Sequence, residues 1–212
     1  MRLRDPLEAR RQLSPRIEEE AAAPLVELIA STGALLRGHF RLQSGPHTEY
    51  FLRFGQLAYR AENAALIARV TVDALGLAPG SDAVMLSADN AGRFFASALA
   101  RVVGSGEASV AIDQGRRPTR EVARGTLEGA ATVIVALDVV TTGASARALL
   151  DVARAATEDV RVVAFARLGA TLDQVDGVAV ESLFDARWTR YAPSDCALCR
   201  AGHPLVPGFE LN

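Results

Sequence analysis

Short apolar runs alternate with longer segments in which apolar residues recur with the period of a helix, and this alternation constrains the fold more than any other feature. The runs typical of strands are 39–42, 50–54, 83–86, 109–112, 132–137, 160–165 and 178–184. The segments typical of helices are 17–36, 61–77, 91–103 and 144–156. Strands separated by such helices predict βαβ units with right-handed crossovers. We therefore predict an α/β fold with a doubly wound, mostly parallel sheet, which binds ligands beyond the carboxyl ends of its strands.

The predicted domain spans 17–190, with a shorter segment on each side of it. Residues 1–16 combine arginines, glutamates and two prolines without an apolar face, which indicates a loosely held arm or a contact with another subunit. Residues 191–212 form a tail that carries both cysteines of the chain. Half of the 212 residues are hydrophobic, so the chain has ample material for one buried core.

The basic residues are all of one type, since the sequence has 23 arginines and no lysine. This composition excludes lysine Schiff bases, lysine general bases and phosphate loops that require a lysine. The formal net charge of −2 gives no general attraction to nucleic acids or membranes, so anion binding must come from local groups of arginines. We expect neither a nucleic acid nor a membrane as a partner.

The number of cysteines and the hydropathy of the sequence indicate the cellular compartment of the protein. The two cysteines lie close together near one end of the sequence, which gives no disulfide framework and favours a reducing compartment. The N-terminal segment is charged throughout, and no apolar stretch approaches the roughly 18–20 residues of a membrane span. We therefore expect a cytoplasmic protein.

The segment 133–145 carries the clearest chemistry. A hydrophobic strand ends at Asp138, and a loop with three hydroxyl side chains leads directly into a helix. Backbone N–H groups at a helix start suit a phosphate monoester, and a glycine lets the backbone approach it closely. We predict that Asp138 accepts hydrogen bonds from sugar hydroxyls; the alternative is a capped helix in which Asp138 only closes a turn. The predicted phosphate loop consists of Thr141, Thr142, Gly143, Ala144 and Ser145.

The same segment resembles the phosphoribosyl-pyrophosphate (PRPP) signature of type I phosphoribosyltransferases. In that signature a hydrophobic strand is followed by two acidic residues, two apolar residues and a Thr-Thr-Gly-x-Ser/Thr loop. Leu137 is the one departure, since it stands in place of the first acidic residue. The resemblance implies that the loop binds the 5-phosphate of PRPP, that Asp138 holds the ribose hydroxyls alone, and that the fold carries a flexible hood.

Further residues are similar to those of orotate phosphoribosyltransferases. Residues 39–51 resemble a part of the base pocket in which Gln43 replaces a frequent lysine, Phe51 matches the first of two aromatic residues, and Leu52 replaces the second. Arg167 matches an arginine that contacts the pyrimidine, and a guanidinium suits an acidic pyrimidine. By residue type alone, Arg167 fits a surface ion pair as well. The resemblance also implies a homodimer.

Residues 114–125 carry four arginines against one glutamate, bracketed by glycines. We expect such a segment beyond a strand end to be mobile and to attract a polyanion such as pyrophosphate. In position it resembles the hood of orotate phosphoribosyltransferases, which closes over the active site and reaches into the neighbouring subunit. The resemblance assigns Arg116, Arg117 and Arg120 to the pyrophosphate, although the segment lacks the family's histidine. A solvated surface loop is the alternative.

Two shorter features permit more than one interpretation. After 83–86, Asp89 suits Mg²⁺ held through water, with Arg93 offsetting phosphate charge, or else Asp89 caps the next helix. In the tail, Cys196, Cys199 and His203 are three zinc-ligand types, with Asp195 or a second subunit as the fourth. A single Cys-x-x-Cys is only half of a usual structural site, so reduced thiols are the alternative and we assign no metal ligand.

Together these residues predict an orotate-type phosphoribosyltransferase that transfers 5-phosphoribose from Mg²⁺-bound PRPP to a pyrimidine base. Arginines would supply fixed positive charge to the departing pyrophosphate, since they do not exchange protons near neutral pH. Two alternatives remain open. Leu137 and the absence of lysine favour a non-catalytic sensor that binds PRPP, and Gln43 with Leu52 favours a transferase for another base.

Overall fold

A computed structural model of the protein describes residues 6–42, 44–78, 80, 82–169, 172–186 and 188–208. The strands are β1 Leu35–Arg41, β2 His47–Leu52, β3 Ala83–Ala88, β4 Gly106–Ile112, β5 Pro118–Arg124, β6 Thr132–Val140, β7 Val160–Leu168, β8 Gln174–Val175, β9 Val178–Ala186, β10 Arg190–Tyr191 and β11 Val206–Pro207. The helices are α1 Pro6–Gln12, α2 Glu19–Thr32, α3 Phe54–Ala58, α4 Ala61–Leu75, α5 Gly92–Val103, α6 Ala144–Arg154 and α7 Ala197–Arg200.

The main sheet has seven strands in the order β5-β4-β3-β6-β7-β9-β8. Its five inner strands are parallel, and β5 and β8 are antiparallel to their neighbours. Side chains of the central strand alternate between two apolar clusters: Ile134 and Ala136 pack on the side of α4 and α5, whereas Val135 packs on the side of α6. Helices therefore cover both faces of the sheet, and the predicted α/β class is confirmed.

A second, smaller sheet has the order β10-β2-β1-β11. Its centre is the antiparallel hairpin of β1 and β2, in which Leu36 lies opposite Phe51. The outer strands come from the end of the described chain, since β10 pairs with β2 and β11 runs parallel to β1. The tail predicted at 191–212 thus contributes a strand to this sheet instead of standing apart.

Residues 1–16 were expected to form a loose arm, and the described part of that segment is packed instead. Ala9 and Leu13 are 1% and 6% exposed, and the backbone N–H of Ser14 donates to the carbonyl of Leu183 in β9 at 2.6 Å. α1 has few apolar residues, so the sequence does not reveal that they lie on one face of a helix.

The arginine-rich segment was expected to be a loop, and the structure corrects this expectation. Seven of its residues form β5, an edge strand paired with β4, and the hairpin turns between Asp113 and Arg117. Most side chains of β5 are exposed, so no alternation of apolar and polar residues marks the strand. None of the helices in the described ranges combines the length and the hydropathy that a transmembrane span requires.

Candidate functional site

The carboxyl ends of β3, β6 and β7 meet at one edge of the main sheet, and the predicted phosphate loop lies there. Gly143 ends this loop in the left-handed region, with φ of 77°, immediately before α6. A Cβ at Gly143 would lie 3.0 Å from Cγ2 of Val175, so both the backbone angle and the space favour glycine. The loop thus presents the amino end of α6 to the edge where α/β sheets bind ligands.

Arg190 lies against this loop, although no motif in the sequence indicated it. Its Nη2 donates to the carbonyl oxygen of Thr141 at 2.6 Å. Burial lowers the pKa of the half-buried guanidinium. Among the described residues no carboxylate forms an ion pair with Arg190, so its charge is available to an anion beside the loop. Only its position after the last long strand offered a signal in the sequence.

Asp138 lies near the carboxyl end of β6. A Cβ at Gly92, the first residue of α5, would lie 3.5 Å from the backbone nitrogen of Asp138, so α5 begins directly against this residue. Burial raises the pKa of the Asp138 carboxyl, and hydrogen bonds from the backbone N–H groups of Val139 and Asp138 oppose that rise. A hydroxyl or a cation of a bound ligand would therefore stabilise the ionised form of this carboxyl.

Leu137 belongs to the opposite face of the sheet. It is 5% exposed and lies in the apolar cluster that includes Val135, Leu149 and Leu150. The one departure from the PRPP signature is therefore part of the packing between β6 and α6. An acidic side chain at this position would lose that packing and would bury a charge.

The loop after β3 lies at the same edge. The side chain of Asn90 accepts a hydrogen bond from the N–H of Gly92 at 2.8 Å, so Asn90 serves the start of α5. Asp89 instead pairs with Arg93 at 2.8 Å and with Arg124 of β5 at 3.9 Å. Asp89 thus connects the edge of the main sheet with the arginine hairpin.

The predicted hood arginines lie along that hairpin. Arg116 occupies the turn with φ of 60°, and Arg117 pairs with Asp113 at 3.0 Å. Hydrogen bonds from Arg117 lower the pKa of Asp113. Arg120 pairs with Asp151 of α6 at 3.2 Å, seven residues or roughly 10 Å along the helix from its start. The structure therefore does not bring Arg120 to the phosphate loop of its own chain.

A cavity of about 600 Å³ lies at the far end of α6, away from the phosphate loop. Arg120 and Val122 line it from β5, and Asp151 and Ala155 line it from the side of the helix. None of the predicted phosphate-loop residues contributes to its wall, so we do not assign this cavity to the candidate site.

The residues predicted for the base pocket lie in two places. Phe51 packs against Phe40 with ring centroids 5.7 Å apart, and a Cβ at Gly208 would come within 2.5 Å of its ring, so the tail covers Phe51. Arg167 is held by Asp185 and Asp173, with 3.2 Å between its Nε and Oδ1 of Asp185. Hydrogen bonding to Asp185 raises the pKa of Arg167. Gln43 lies outside the described residues.

Comparison with known proteins decides the family. No family model matches the chain. An orotate phosphoribosyltransferase of Pelotomaculum thermopropionicum is 30% identical over 191 residues, which cover 87% of this chain and 95% of the relative. The orotate phosphoribosyltransferase of Heliobacterium modesticaldum is 30% identical over 186 residues, with 87% and 96% covered. The chain belongs to the orotate phosphoribosyltransferase family.

The solved structures agree on the fold of this family member. The crystal structure of orotate phosphoribosyltransferase from Aeropyrum pernix superposes with a TM-score of 0.58 at 20% identity and covers 75% of this chain and 92% of that one. The resemblance inferred from residues 133–145 is thereby confirmed. In this member of the orotate phosphoribosyltransferase family, Leu137 departs from the PRPP signature and Arg190 lies beside the loop.

Proposed function

We propose that this protein transfers the 5-phosphoribosyl group of PRPP to orotate, which gives orotidine monophosphate and pyrophosphate. The bond from the anomeric carbon to the pyrophosphate oxygen breaks, and a bond from a ring nitrogen of the base to that carbon forms as the nitrogen loses its proton. One observation carries the proposal: in a member of this enzyme family, the loop 141–145 meets Arg190, which has no ion-pair partner within the described ranges.

The 5-phosphate binds at the start of α6. Backbone N–H groups there and the hydroxyls of Thr141, Thr142 and Ser145 donate to its oxygens, with Ala144 contributing through its backbone. Arg190 adds a fixed positive charge on the side of Thr141. These groups hold the end of PRPP that does not react, and thereby orient the anomeric carbon.

Asp138 binds the ribose hydroxyls. Its carboxyl is costly to ionise in the unliganded protein, and hydrogen bonds from two hydroxyls offset that cost when substrate is bound. Asp89 and Asp138 would supply the oxygen ligands that Mg²⁺ prefers, and both stand at the edge proposed for PRPP, so the residues present fit this ion. When bound, Mg²⁺ neutralises pyrophosphate charge.

The arginines of the β4–β5 hairpin stabilise the departing pyrophosphate. Arg120 is paired with Asp151 away from its own loop, so we infer that the hairpin serves the site of a partner subunit in a homodimer. Arg116 and Arg117 stand at its exposed tip. Arginine suits this role because the developing charge needs fixed donors and no proton transfer.

The base lies between the hairpin of the small sheet and the end of β7. The resemblance assigns Gln43, Phe51 and Arg167 to the base, and the guanidinium of Arg167 suits the carboxylate of orotate. Arg167 is only 14% exposed and is bound to two aspartates, so it must loosen at least one ion pair to contact the base. The base site must therefore rearrange to bind orotate, whereas the groups of the phosphate site already lie in place.

The proposed reaction is tested by following the ultraviolet absorbance of orotate. We expect orotate to be consumed only when both PRPP and Mg²⁺ are present, and orotidine monophosphate to appear in equal amount. Omission of either component is the internal control. If a different base were consumed and orotate were not, orotate would be excluded as the substrate. The reaction would still be a phosphoribosyl transfer.

A second candidate function is a PRPP sensor without turnover, and the buried Leu137 favours it. This candidate predicts that PRPP raises the melting temperature, because a ligand that binds only the folded state stabilises it. It also predicts no consumption of any pyrimidine base. Turnover of orotate eliminates the sensor, and stabilisation without turnover eliminates the enzyme.

The replacement Arg190→Gln tests the phosphate site directly. A hydrogen bond to a charged group contributes about 1.5–3 kcal/mol, so we expect KM for PRPP to rise roughly 10- to 100-fold while KM for orotate changes little. Arg60→Gln is the matched control, since Arg60 is exposed and pairs only with Glu62 in the described part of the chain. An unchanged KM for PRPP in Arg190→Gln would show that Arg190 does not contribute to the phosphate site.

A further inference from the structure

All three histidines and both cysteines of the chain meet beside the small sheet. His39 lies in β1 and His47 in β2, while Cys196 directly precedes α7 and Cys199 lies within it. One ligand atom from each of these four residues lies within 4.8 Å of all the others. The third histidine, His203, contributes its backbone carbonyl and not its ring.

Four of the six distances between the ligand atoms of this cluster are close to the edges of a tetrahedral zinc site. With Zn–N of about 2.05 Å and Zn–S of about 2.3 Å, the edges of a tetrahedron are about 3.3 Å for N···N and about 3.5 Å for S···N. The His39 Nε2 to His47 Nδ1 distance is 3.1 Å. The Sγ atom of Cys196 lies 3.4 Å from Nε2 of His39, and that of Cys199 lies 3.4 Å from Nδ1 of His47 and 3.7 Å from Nε2 of His39.

The hydrogen bonding of His39 prepares its other nitrogen for a metal. Nδ1 of His39 lies 2.9 Å from the carbonyl oxygen of His203, so Nδ1 carries the proton and donates it. Nε2 then presents a lone pair, and an imidazole held in this way by a carbonyl is the usual arrangement around a metal-bound histidine. Without a metal, the lone pair of Nε2 accepts a hydrogen bond from only one of the three ligand atoms that lie around it.

We propose that His39, His47, Cys196 and Cys199 bind one Zn²⁺ ion. Thiolate and imidazole together select zinc over the harder ions that prefer oxygen. Three of the four ligands are buried and Cys199 is exposed, which leaves a route for the ion to enter. Four protein ligands fill a tetrahedral shell and leave no position for substrate, so the site is structural.

The zinc site fixes the tail onto the hairpin that carries Phe51. Beyond Cys199 the chain pairs with β1 through β11, and Gly208 then lies directly against the ring of Phe51. The ion thus joins both strands of the hairpin to the tail segment that covers them. The ligand set differs from that expected from the tail alone: His203 and the exposed Asp195, which pairs with Arg200, lie outside it.

Metal content of the full-length protein tests this site without reference to its catalytic activity. The protein is produced with added zinc, dialysed and analysed by inductively coupled plasma mass spectrometry. We expect about one zinc per chain in the unaltered protein and less than about a tenth of that in Cys199→Ser, which alters an exposed position. The control His203→Ala keeps its zinc, because only the backbone of that residue contacts the cluster.

Cobalt substitution reports on the ligands themselves. We expect Co²⁺-loaded protein to show the intense visible bands of a tetrahedral site and thiolate-to-cobalt charge-transfer bands, and both to weaken in His47→Asn. Circular dichroism shows whether each variant is folded. Unaltered protein without zinc, zinc retained in Cys199→Ser, zinc lost in His203→Ala, or an intact mass that reveals a Cys196–Cys199 disulfide would each overturn the proposal.

Discussion

The replacement Asp138→Asn is expected to lower kcat/KM for PRPP by at least about 100-fold, the size of effect seen when one polar group of a reaction site is removed. It is expected to raise the melting temperature at neutral pH at the same time. Burial raises the pKa of this carboxyl, so the folded protein bears a cost for its negative charge that the unfolded chain does not. The amide keeps an acceptor for the backbone N–H groups and carries no charge.

The gain in stability should depend on pH with a definite sign. A raised pKa means that the folded state holds its proton more tightly than the unfolded chain, whose carboxyl titrates near 3.8. The cost in the unaltered protein grows as the pH rises from that value through the folded pKa and is constant above it. The difference in melting temperature is therefore larger at neutral pH than in acid.

Asp82→Asn is the matched control, because Asp82 is an exposed carboxylate at the opposite end of β3. It should change neither activity nor melting temperature appreciably. A loss of activity in Asp138→Asn accompanied by a lower melting temperature at every pH would show that Asp138 supports the fold and not the ribose.

The replacement Gly143→Ala is expected to weaken PRPP binding at least tenfold and to remove most of the PRPP-dependent rise in melting temperature. A left-handed conformation costs a non-glycine residue roughly 1–2 kcal/mol, and the new methyl group would also press on Val175 at 3.0 Å. The loop must shift to relieve both, which moves the N–H groups that meet the phosphate.

Gly129→Ala separates these two costs. Gly129 has a φ of 75°, close to the 77° of Gly143, but a Cβ there would meet nothing within 4 Å. We expect the two variants to lose similar stability from backbone strain, while only Gly143→Ala loses PRPP affinity. If isothermal titration gave the same Kd for PRPP in both variants, and steady-state assays gave the same KM, the assignment of the loop would be contradicted.

The inner strands could be predicted from the sequence because they are buried on both faces. β6 and β7 each contain a continuous apolar run, at 133–137 and 162–166, and such runs remain visible without knowledge of their neighbours. β5 could not be predicted, since an exposed edge strand needs no apolar residues and its arginines are compatible with a loop. The phosphate loop was predictable because its chemistry is contiguous in the chain.

The metal cluster and Arg190 depend on contacts between distant parts of the chain. Cys196 invites a search for ligands nearby, and His203 lies within reach in sequence, yet the ring ligands come from the β1–β2 hairpin. Arg190 likewise meets Thr141 from 49 residues away. Contacts between such distant residues leave no local pattern in the sequence. The compositional hint was that every histidine and cysteine lies within one of two short segments, 39–47 and 196–203.

The small sheet joins strands that are synthesised far apart in time. Its hairpin leaves the ribosome early, but the outer strands and the cysteines follow much later, since Cys196 comes 157 positions after His39. Until then both edges of the hairpin present unpaired backbone groups, which are open to pairing with other chains. Closing so long a loop is slow. We therefore expect the small sheet to be completed after the main sheet, and aggregation of the nascent hairpin to compete with folding.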